Sequence, residues 1–340
     1  MLENVPLSEH STMRLGGPAK YLTEIKHRNE LLELLSWADE KKLPVIMIGD
    51  GSNIFWKDKG FEGLVIVNRI MHFEVVKQTD KSAFFTVGAG ENWDSVVERT
   101  VDLGYSGLEQ LSLIPGTAGA TPIQNVGAYG REVADVLFTI QAYDQQEKKF
   151  VTLRPNDCNF GYRTSRFKTS DKGRFYIISV TFHLTKTTPK PPFYQALQNY
   201  LEEHGIHEYT PVNIREAVIS IRRAKLPDPT LVANNGSFFA NPIIGHQKLG
   251  KILIKYPDVK YWTVGEGKAK LSAAWLIEHA GFKGDHDKET GMSVWPGQAL
   301  VLVNEHAKKT ADLLKFKQKI VVAVKEKFGV TLEQEPELIP

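Results

Sequence analysis

Between Ile114 and Gly130 the chain reads Ile-Pro-Gly-Thr-Ala-Gly-Ala-Thr-Pro-Ile-Gln-Asn-Val-Gly-Ala-Tyr-Gly, with four glycines, three alanines and two prolines among seventeen residues. No helix or central strand suits such a run, because proline lacks the backbone donor and glycine weakens element interiors. The run makes poor core and a good surface for close approach by a ligand, with Thr117, Thr121, Gln124 and Asn125 as hydrogen-bonding groups. A flat, polar-edged cofactor such as a flavin suits it, and a structural Ω-like loop is the alternative.

The regular elements on either side are read from apolar spacing. Leu31, Leu34, Leu35 and Ala38 give a helical face within 29–42, followed by short apolar strands at 45–48 and 64–67. Phe84 to Val87 reads as a strand leading to Gly88-Ala89-Gly90, and Trp93, Val96, Val97, Thr100 and Leu103 mark the next helix. Strands are expected near 138–143, 150–153 and 175–184, with further helices at 193–204, 213–225, 271–280 and 307–328. The prolines of 187–192 mark a linker, so the expected domains are 1–70, 71–190 and 191–328.

Composition narrows the function. With 42 Lys and Arg against 40 Asp and Glu the formal charge is +2, and no dense basic run tracks a phosphate backbone, which argues against nucleic acid. The single cysteine, Cys158, excludes an intramolecular disulfide framework and any multi-cysteine metal site. The ten histidines form no His-Glu-x-x-His pattern, and no metal site is expected. No apolar run approaches the ~18 residues that span a bilayer, and a cytoplasmic protein is expected. Gly49-Asp50-Gly51-Ser52-Asn53 follows an apolar strand and lets successive amides face a ligand, but it lacks both the third Rossmann glycine and a Walker lysine. In Gly161-Tyr162-Arg163 the arginine can hold a carboxylate in bidentate fashion. Arg222, Arg223 and Lys225, ahead of Leu226-Pro227-Asp228-Pro229, can take a diphosphate. Ser237 lies between a glycine and two phenylalanines without a Gly-x-Ser-x-Gly elbow, so a serine-hydrolase triad is not indicated.

In order, Thr12-x-Arg14-x-Gly16-Gly17-x-Ala19, Gly49-x-Gly51-Ser52-Asn53, Gly88-Ala89-Gly90, Ile114 through Gly130, Gly161-Tyr162-Arg163, Lys225-Leu226-Pro227-Asp228-Pro229, Asn235-Gly236-Ser237-Phe238-Phe239-x-Asn241-Pro242 and Ala274-Trp275-Leu276-Ile277 resemble the UDP-N-acetylenolpyruvoylglucosamine reductase family. The match covers nearly the whole chain. Pro192-Phe193-Tyr194-Gln195-Ala196-Leu197 is similar to the tyrosine-bearing segment of the longer family type. Ser11 departs from the asparagine common in the family.

The resemblance implies an α+β chain: a two-part FAD-binding fold of the vanillyl-alcohol-oxidase type, with a third, α/β domain for substrate. Residues 329–340 would return to the first part. It implies FAD as cofactor, NADPH as co-substrate and UDP-N-acetylglucosamine enolpyruvate as substrate, with hydride passing from reduced flavin to the enolpyruvyl methylene carbon. Arg163 would neutralise the substrate carboxylate, Ser237 would deliver a proton, and a protonated Glu335 would donate a hydrogen bond. The register from Gly329-Val330 selects Glu335, with Glu333 and Glu337 two residues either side. FAD contacts are expected from Gly49, Gly51, Ser52, Asn53, Pro115, Gly116, Thr121, Gln124, Asn125, Gly127 and Ala128. Substrate contacts are expected from Tyr162, Tyr194, Arg222, Lys225 and Asn241. A monomer is expected. The rivals are an FAD-dependent alcohol or lactone oxidase, a non-redox UDP-sugar transferase and a silent nucleotide-binding protein.

Overall fold

Apolar spacing at positions 31, 34, 35 and 38 becomes the helix Arg28–Glu40 in the computed structural model, which describes residues 1–340. Its first turn is closed by the Glu30 carboxylate, which accepts the backbone N–H of Lys26 at 2.6 Å and of His27 at 3.1 Å. The chain folds as two units. The first comprises Met1–Val5, Ala19–Asp50 and Glu62–Ala224, the second Pro6–Pro18, Gly51–Phe61 and Lys225–Pro340.

The first unit holds two larger sheets. Leu2–Pro6, Pro18–Ile25, Phe61–Asn68 and Val45–Ile48 form a four-stranded sheet in that order, the last two strands parallel. Lys149–Leu153, Leu137–Asp144, Phe175–Thr185, Ser82–Gly88 and Phe73–Gln78 form an antiparallel sheet of five. The helix Trp93–Asp102 buries Trp93, Val96, Val97 and Val101 in a core shared with Phe85, Val87, Val180 and Phe182. The helices Gln195–Glu203 and Pro211–Lys225 pack through Leu197, Leu201, Ile214, Val218 and Ile221, and Tyr129 of the glycine-rich loop lies against that cluster. Residues up to Ala224 group with the first unit.

The second unit is built on Ala233–Ser237, Val301–Asn304, Met292–Val294 and His286–Asp287, an antiparallel sheet in that order. A three-stranded sheet orders Ile243–Gly245, Lys268–Leu271 and Tyr261–Thr263. The helix Thr310–Phe328 buries Leu313, Phe316, Ile320, Val324 and Phe328 at spacings of three or four. It starts on the Asp58 carboxylate, which accepts from the Thr310 N–H at 2.6 Å and the Ala311 N–H at 3.0 Å. It stops at Gly329, whose φ of 67° is the left-handed conformation that ends many helices. The chain then returns, and Glu337–Ile339 pairs in parallel with Ile54–Trp56. No helix is long and apolar enough to cross a membrane.

Candidate active site

In the first unit the loop 114–130 and the segment 161–168 are tied together by side chains. Arg163 donates from Nη2 to the Gly127 carbonyl at 2.5 Å, and its guanidinium lies 5.1 Å from the Tyr162 ring centroid. Ser165 Oγ donates to the Ile123 carbonyl at 2.5 Å, and Lys168 Nζ to Gln124 Oε1 at 3.4 Å. Thr121 is buried and uses its hydroxyl proton on the Ala118 carbonyl at 2.7 Å, within its own turn. Asn125 is likewise buried, with its amide bonded to Glu132, Gly161 and Ala134. Gly127 and Ala128 pair with Arg131 and Glu132 as a two-residue ribbon. Gly116 has a φ of 124°, a region open to glycine, while its carbonyl accepts the Trp93 N–H at 3.0 Å. A Cβ on Gly49 would collide with the Thr117 side chain, so that turn packs directly on the loop.

Leu113, just ahead of the loop, is held at both backbone groups. Its N–H donates to Asp94 Oδ1 at 2.5 Å, and its carbonyl accepts Arg222 Nη2 at 3.2 Å. Arg215, on the same helix as Arg222, grips Asp94 through both terminal nitrogens at 2.6 and 3.1 Å. Burial pushes the Asp94 carboxyl up, but the Arg215 and Leu113 hydrogen bonds outweigh it and hold the pKa below the ordinary carboxylate value. Burial lowers the Arg222 pKa, against the nearby Tyr129 and Asp94, and its Nε is buried without a hydrogen-bond partner. Tyr129 has its pKa raised by burial and meets Tyr194 edge-on with centroids 6.0 Å apart. Gln110, Tyr129, Arg131, Lys190, Phe193 and Tyr194 line a cavity of about 280 Å³ in this unit.

The second unit carries Ser237 and Glu335. Ser237 ends the strand Ala233–Ser237 after Gly236, whose φ is 68°. The C-terminal segment runs beside the next residues. The Glu335 N–H donates to the Phe238 carbonyl at 2.9 Å, and the Ala240 N–H donates to the Glu333 carbonyl at 3.0 Å. Glu335 is therefore placed beside the residue that follows Ser237. Glu333 is exposed, whereas Glu335 and Glu337 are half-buried. Asn241 Oδ1 accepts the Ala273 N–H at 2.9 Å, and the Lys225 carbonyl accepts Trp295 Nε1 at 3.1 Å.

Asn235 supplies a further anchor that residue types alone do not single out. Its Nδ2 donates to Thr12 Oγ1 at 3.0 Å and to the carbonyls of Ser52 and Ile54 at 3.1 and 3.2 Å. The turn Gly51-Ser52-Asn53 is thus fastened to the strand that ends in Ser237. Gly51, at φ 70°, has the His10 carbonyl where a Cβ would stand.

A sequence model of the FAD binding domain matches residues 19–148, and one of the UDP-N-acetylenolpyruvoylglucosamine reductase C-terminal domain matches 228–339. Over 337 residues, 98% of each chain, the sequence is 40% identical to UDP-N-acetylenolpyruvoylglucosamine reductase of Ralstonia nicotianae. The chain belongs to the UDP-N-acetylenolpyruvoylglucosamine reductase family. It is also 37% identical over 335 residues to the enzyme of that name from Neisseria gonorrhoeae, covering 98% of this chain and 96% of that one. The crystal structure of the Thermus caldophilus reductase matches with a TM-score of 0.69 at 23% identity, over 100% of this chain and 99% of that one, a likeness of fold. The FAD-binding fold and C-terminal domain of this reductase family account for the α+β organisation expected from the sequence.

The residues fit an FAD. The loops at 49–53 and 114–130 present backbone with little side-chain bulk. In the second unit Asn235, 6% exposed, keeps Oδ1 buried with no donor from the chain.

Proposed function

We infer that this chain is an FAD-dependent, NADPH-consuming UDP-N-acetylmuramate dehydrogenase of peptidoglycan precursor synthesis, which reduces UDP-N-acetylglucosamine enolpyruvate. The full-length match to reductases of that name carries this reading. When bound, FAD would supply the redox chemistry that links NADPH to the enolpyruvyl methylene carbon. Every other demand falls on the protein. Hydride addition leaves negative charge on the adjacent carbon, delocalised into its carboxylate, and that charge needs a cation, a hydrogen-bond donor and a proton.

Arg163 meets the first need, as a planar cation with several N–H donors, one of which meets the Gly127 carbonyl. A protonated Glu335 donates to the enediolate oxygen, and the Ser237 hydroxyl protonates the carbon. Tyr194, Arg222, Lys225 and Asn241 serve the nucleotide diphosphate and its surroundings, Lys225 as the diphosphate cation, and Tyr162 contacts the substrate. FAD is held by Gly49, Gly51, Ser52, Asn53, Pro115, Gly116, Thr121, Gln124, Asn125, Gly127 and Ala128. Since Thr121 and Asn125 use their side chains internally, they serve through the backbone shape they impose. The tyrosine-bearing segment 192–197 assigns the chain to the longer family type. We further assign 1–70 with 329–340 and 71–190 to FAD, 191–328 to substrate, and take the enzyme as a cytoplasmic monomer. The parallel pairing of Glu337–Ile339 with Ile54–Trp56 supports the C-terminal return.

The test is spectroscopic. The purified protein, reconstituted with FAD, should bleach on anaerobic addition of NADPH and regain its flavin absorbance on addition of UDP-N-acetylglucosamine enolpyruvate. Reoxidation by oxygen alone, with no response to that substrate, would indicate an oxidase instead. Light scattering at the mass of one chain checks the monomer.

A further inference from the structure

We propose that Asn125 is a positioning residue for Arg163, which rests on the reading that Arg163 binds the substrate carboxylate. Two segments 36 to 42 residues apart in sequence are joined by three ties: Ser165 on Ile123, Asn125 on Gly161, and Arg163 on Gly127. The second of these is made by the side-chain amide of Asn125. Its Nδ2 donates to Glu132 Oε2 at 2.7 Å and to the Gly161 carbonyl at 3.2 Å, and its Oδ1 accepts the Ala134 N–H at 3.0 Å. A primary amide has two donor hydrogens, so both are engaged within the protein, and the side chain is 1% exposed. Asn125 therefore has no spare donor for a ligand and acts on what it holds.

What it holds is the turn that contains Arg163. Gly161 and Thr164 exchange backbone hydrogen bonds at 3.1 and 3.2 Å, closing a turn with Arg163 inside it. Arg163 adopts a φ of 55°, a left-handed conformation unusual for a long side chain and one that persists only where the surroundings over-determine it. The clamp on the Gly161 carbonyl fixes that turn from one end, and the Gly127 carbonyl fixes the guanidinium from the other. Asn125 is itself at φ 50°, which asparagine tolerates better than most residues. One residue type therefore meets the backbone demand and supplies two donors and an acceptor. Aspartate at 125 would keep the shape but turn both donors into acceptors facing the Glu132 carboxylate and the Gly161 carbonyl.

The experiment is a double-mutant cycle on the FAD-loaded enzyme, with the two half-reactions followed separately by flavin absorbance. Asn125→Asp and Asn125→Gly are each combined with Arg163→Ala, the glycine variant preserving the backbone freedom should the aspartate variant fold poorly. Each Asn125 variant should slow flavin reoxidation by the enolpyruvyl substrate by about 10²-fold, as a misplaced catalytic group does. Measured per bound flavin, reduction by NADPH should slow far less than reoxidation. Arg163→Ala should slow the same step, and the double variants should be no slower than Arg163→Ala alone. Full additivity in the double variants would overturn the positioning role. So would equal slowing of both half-reactions per bound flavin, since that points to a general folding role for the loop. Arg163→Ala reoxidising at the wild-type rate would overturn the carboxylate reading itself.

Discussion

The two units solve different positioning problems in different ways. In the first, Arg163 sits on irregular backbone and is located by side-chain hydrogen bonds from residues in other turns, with positive φ at Leu113, Asn125, Tyr129 and Arg163. In the second, Ser237 and Glu335 are located by main-chain pairing, Ser237 at the end of a strand and Glu335 through the Phe238 carbonyl. In the role proposed for Arg163, a cation that matches a planar carboxylate needs its orientation fixed, which polar cross-ties would provide. In those proposed for Ser237 and Glu335, a proton or hydrogen-bond donor needs mainly the right distance, which a strand register would supply. The comparison predicts that substitutions in the second unit act on single chemical steps and leave the fold intact, whereas those in the first spread through shared hydrogen bonds.

The sharpest test of the second half is Glu335→Ala, expected to slow flavin reoxidation by about 10³-fold or more while leaving reduction by NADPH untouched. Glu333→Ala should behave as wild type, because Glu333 is exposed and contributes its carbonyl to Ala240. Stopped-flow traces of the two half-reactions decide it. A crippled Glu337→Ala with an active Glu335→Ala would move the acid two residues along the C-terminal strand. Ser237→Ala comes next, with reoxidation about 10²-fold slower and reduction unchanged, in line with the loss of one general acid. If both halves slowed together, the serine would be a structural element of its strand, and the contrast between the units would fail.

How much of this is legible in the sequence differs by element. Helices with a clean apolar face, Arg28–Glu40, Trp93–Asp102 and Thr310–Phe328, announce themselves, as do strands such as Val45–Ile48 and Phe175–Thr185. The helix His246–Lys255 does not, since Gly250 and three lysines interrupt its pattern and only Leu249 and Ile252 are buried. Ile54–Trp56 and Glu337–Ile339 are strands of three residues that exist because they pair with each other, a non-local cause with no local signal. Nor does composition mark the excursions of Pro6–Pro18 and Gly51–Phe61 into the second unit. Of the proposed site residues, Arg163 and Ser237 stand out through the order of motifs, while Glu335 rests on a register counted from Gly329-Val330. The internal use of Asn125 and Thr121 stays hidden, because a polar residue in a glycine-rich loop reads the same whether it faces a ligand or its own backbone.

Lys225→Ala bears on the nucleotide. Removing a diphosphate cation should weaken binding of the UDP substrate by about 1.5–3 kcal/mol, the range for a hydrogen bond to a charged group. Titration with an analogue lacking the diphosphate should show a smaller loss. An equal loss for both ligands would mean that Lys225 serves the fold, where its carbonyl already meets Trp295.

The smallest effect, and the one that most directly probes cross-tie positioning, concerns Asp94. Its carboxylate joins Arg215 of the helix Pro211–Lys225 to the Leu113 N–H, one residue ahead of the glycine-rich loop. Burial opposes the charge, but the two hydrogen bonds prevail and the folded pKa lies below the unfolded one. For an acid shifted in that direction the stabilisation is fully present above the unfolded value of about 3.9 and disappears as pH falls through the folded value. Asp94→Asn keeps one acceptor for Leu113 and loses the ionic partner of Arg215, which Glu98 at 3.4 Å compensates only in part. With Asp94 one-quarter exposed, solvent screening keeps the expected destabilisation to about 1–2 kcal/mol at pH 7. Denaturant melts should show wild type and variant converging below pH 4, with the loss at pH 7 accompanied by weaker FAD retention, because Leu113 leads into the loop. A variant as stable as wild type at pH 7 would show that the backbone holds Leu113 unaided. The irregular half would then be organised by chain geometry, as the strand-borne half is.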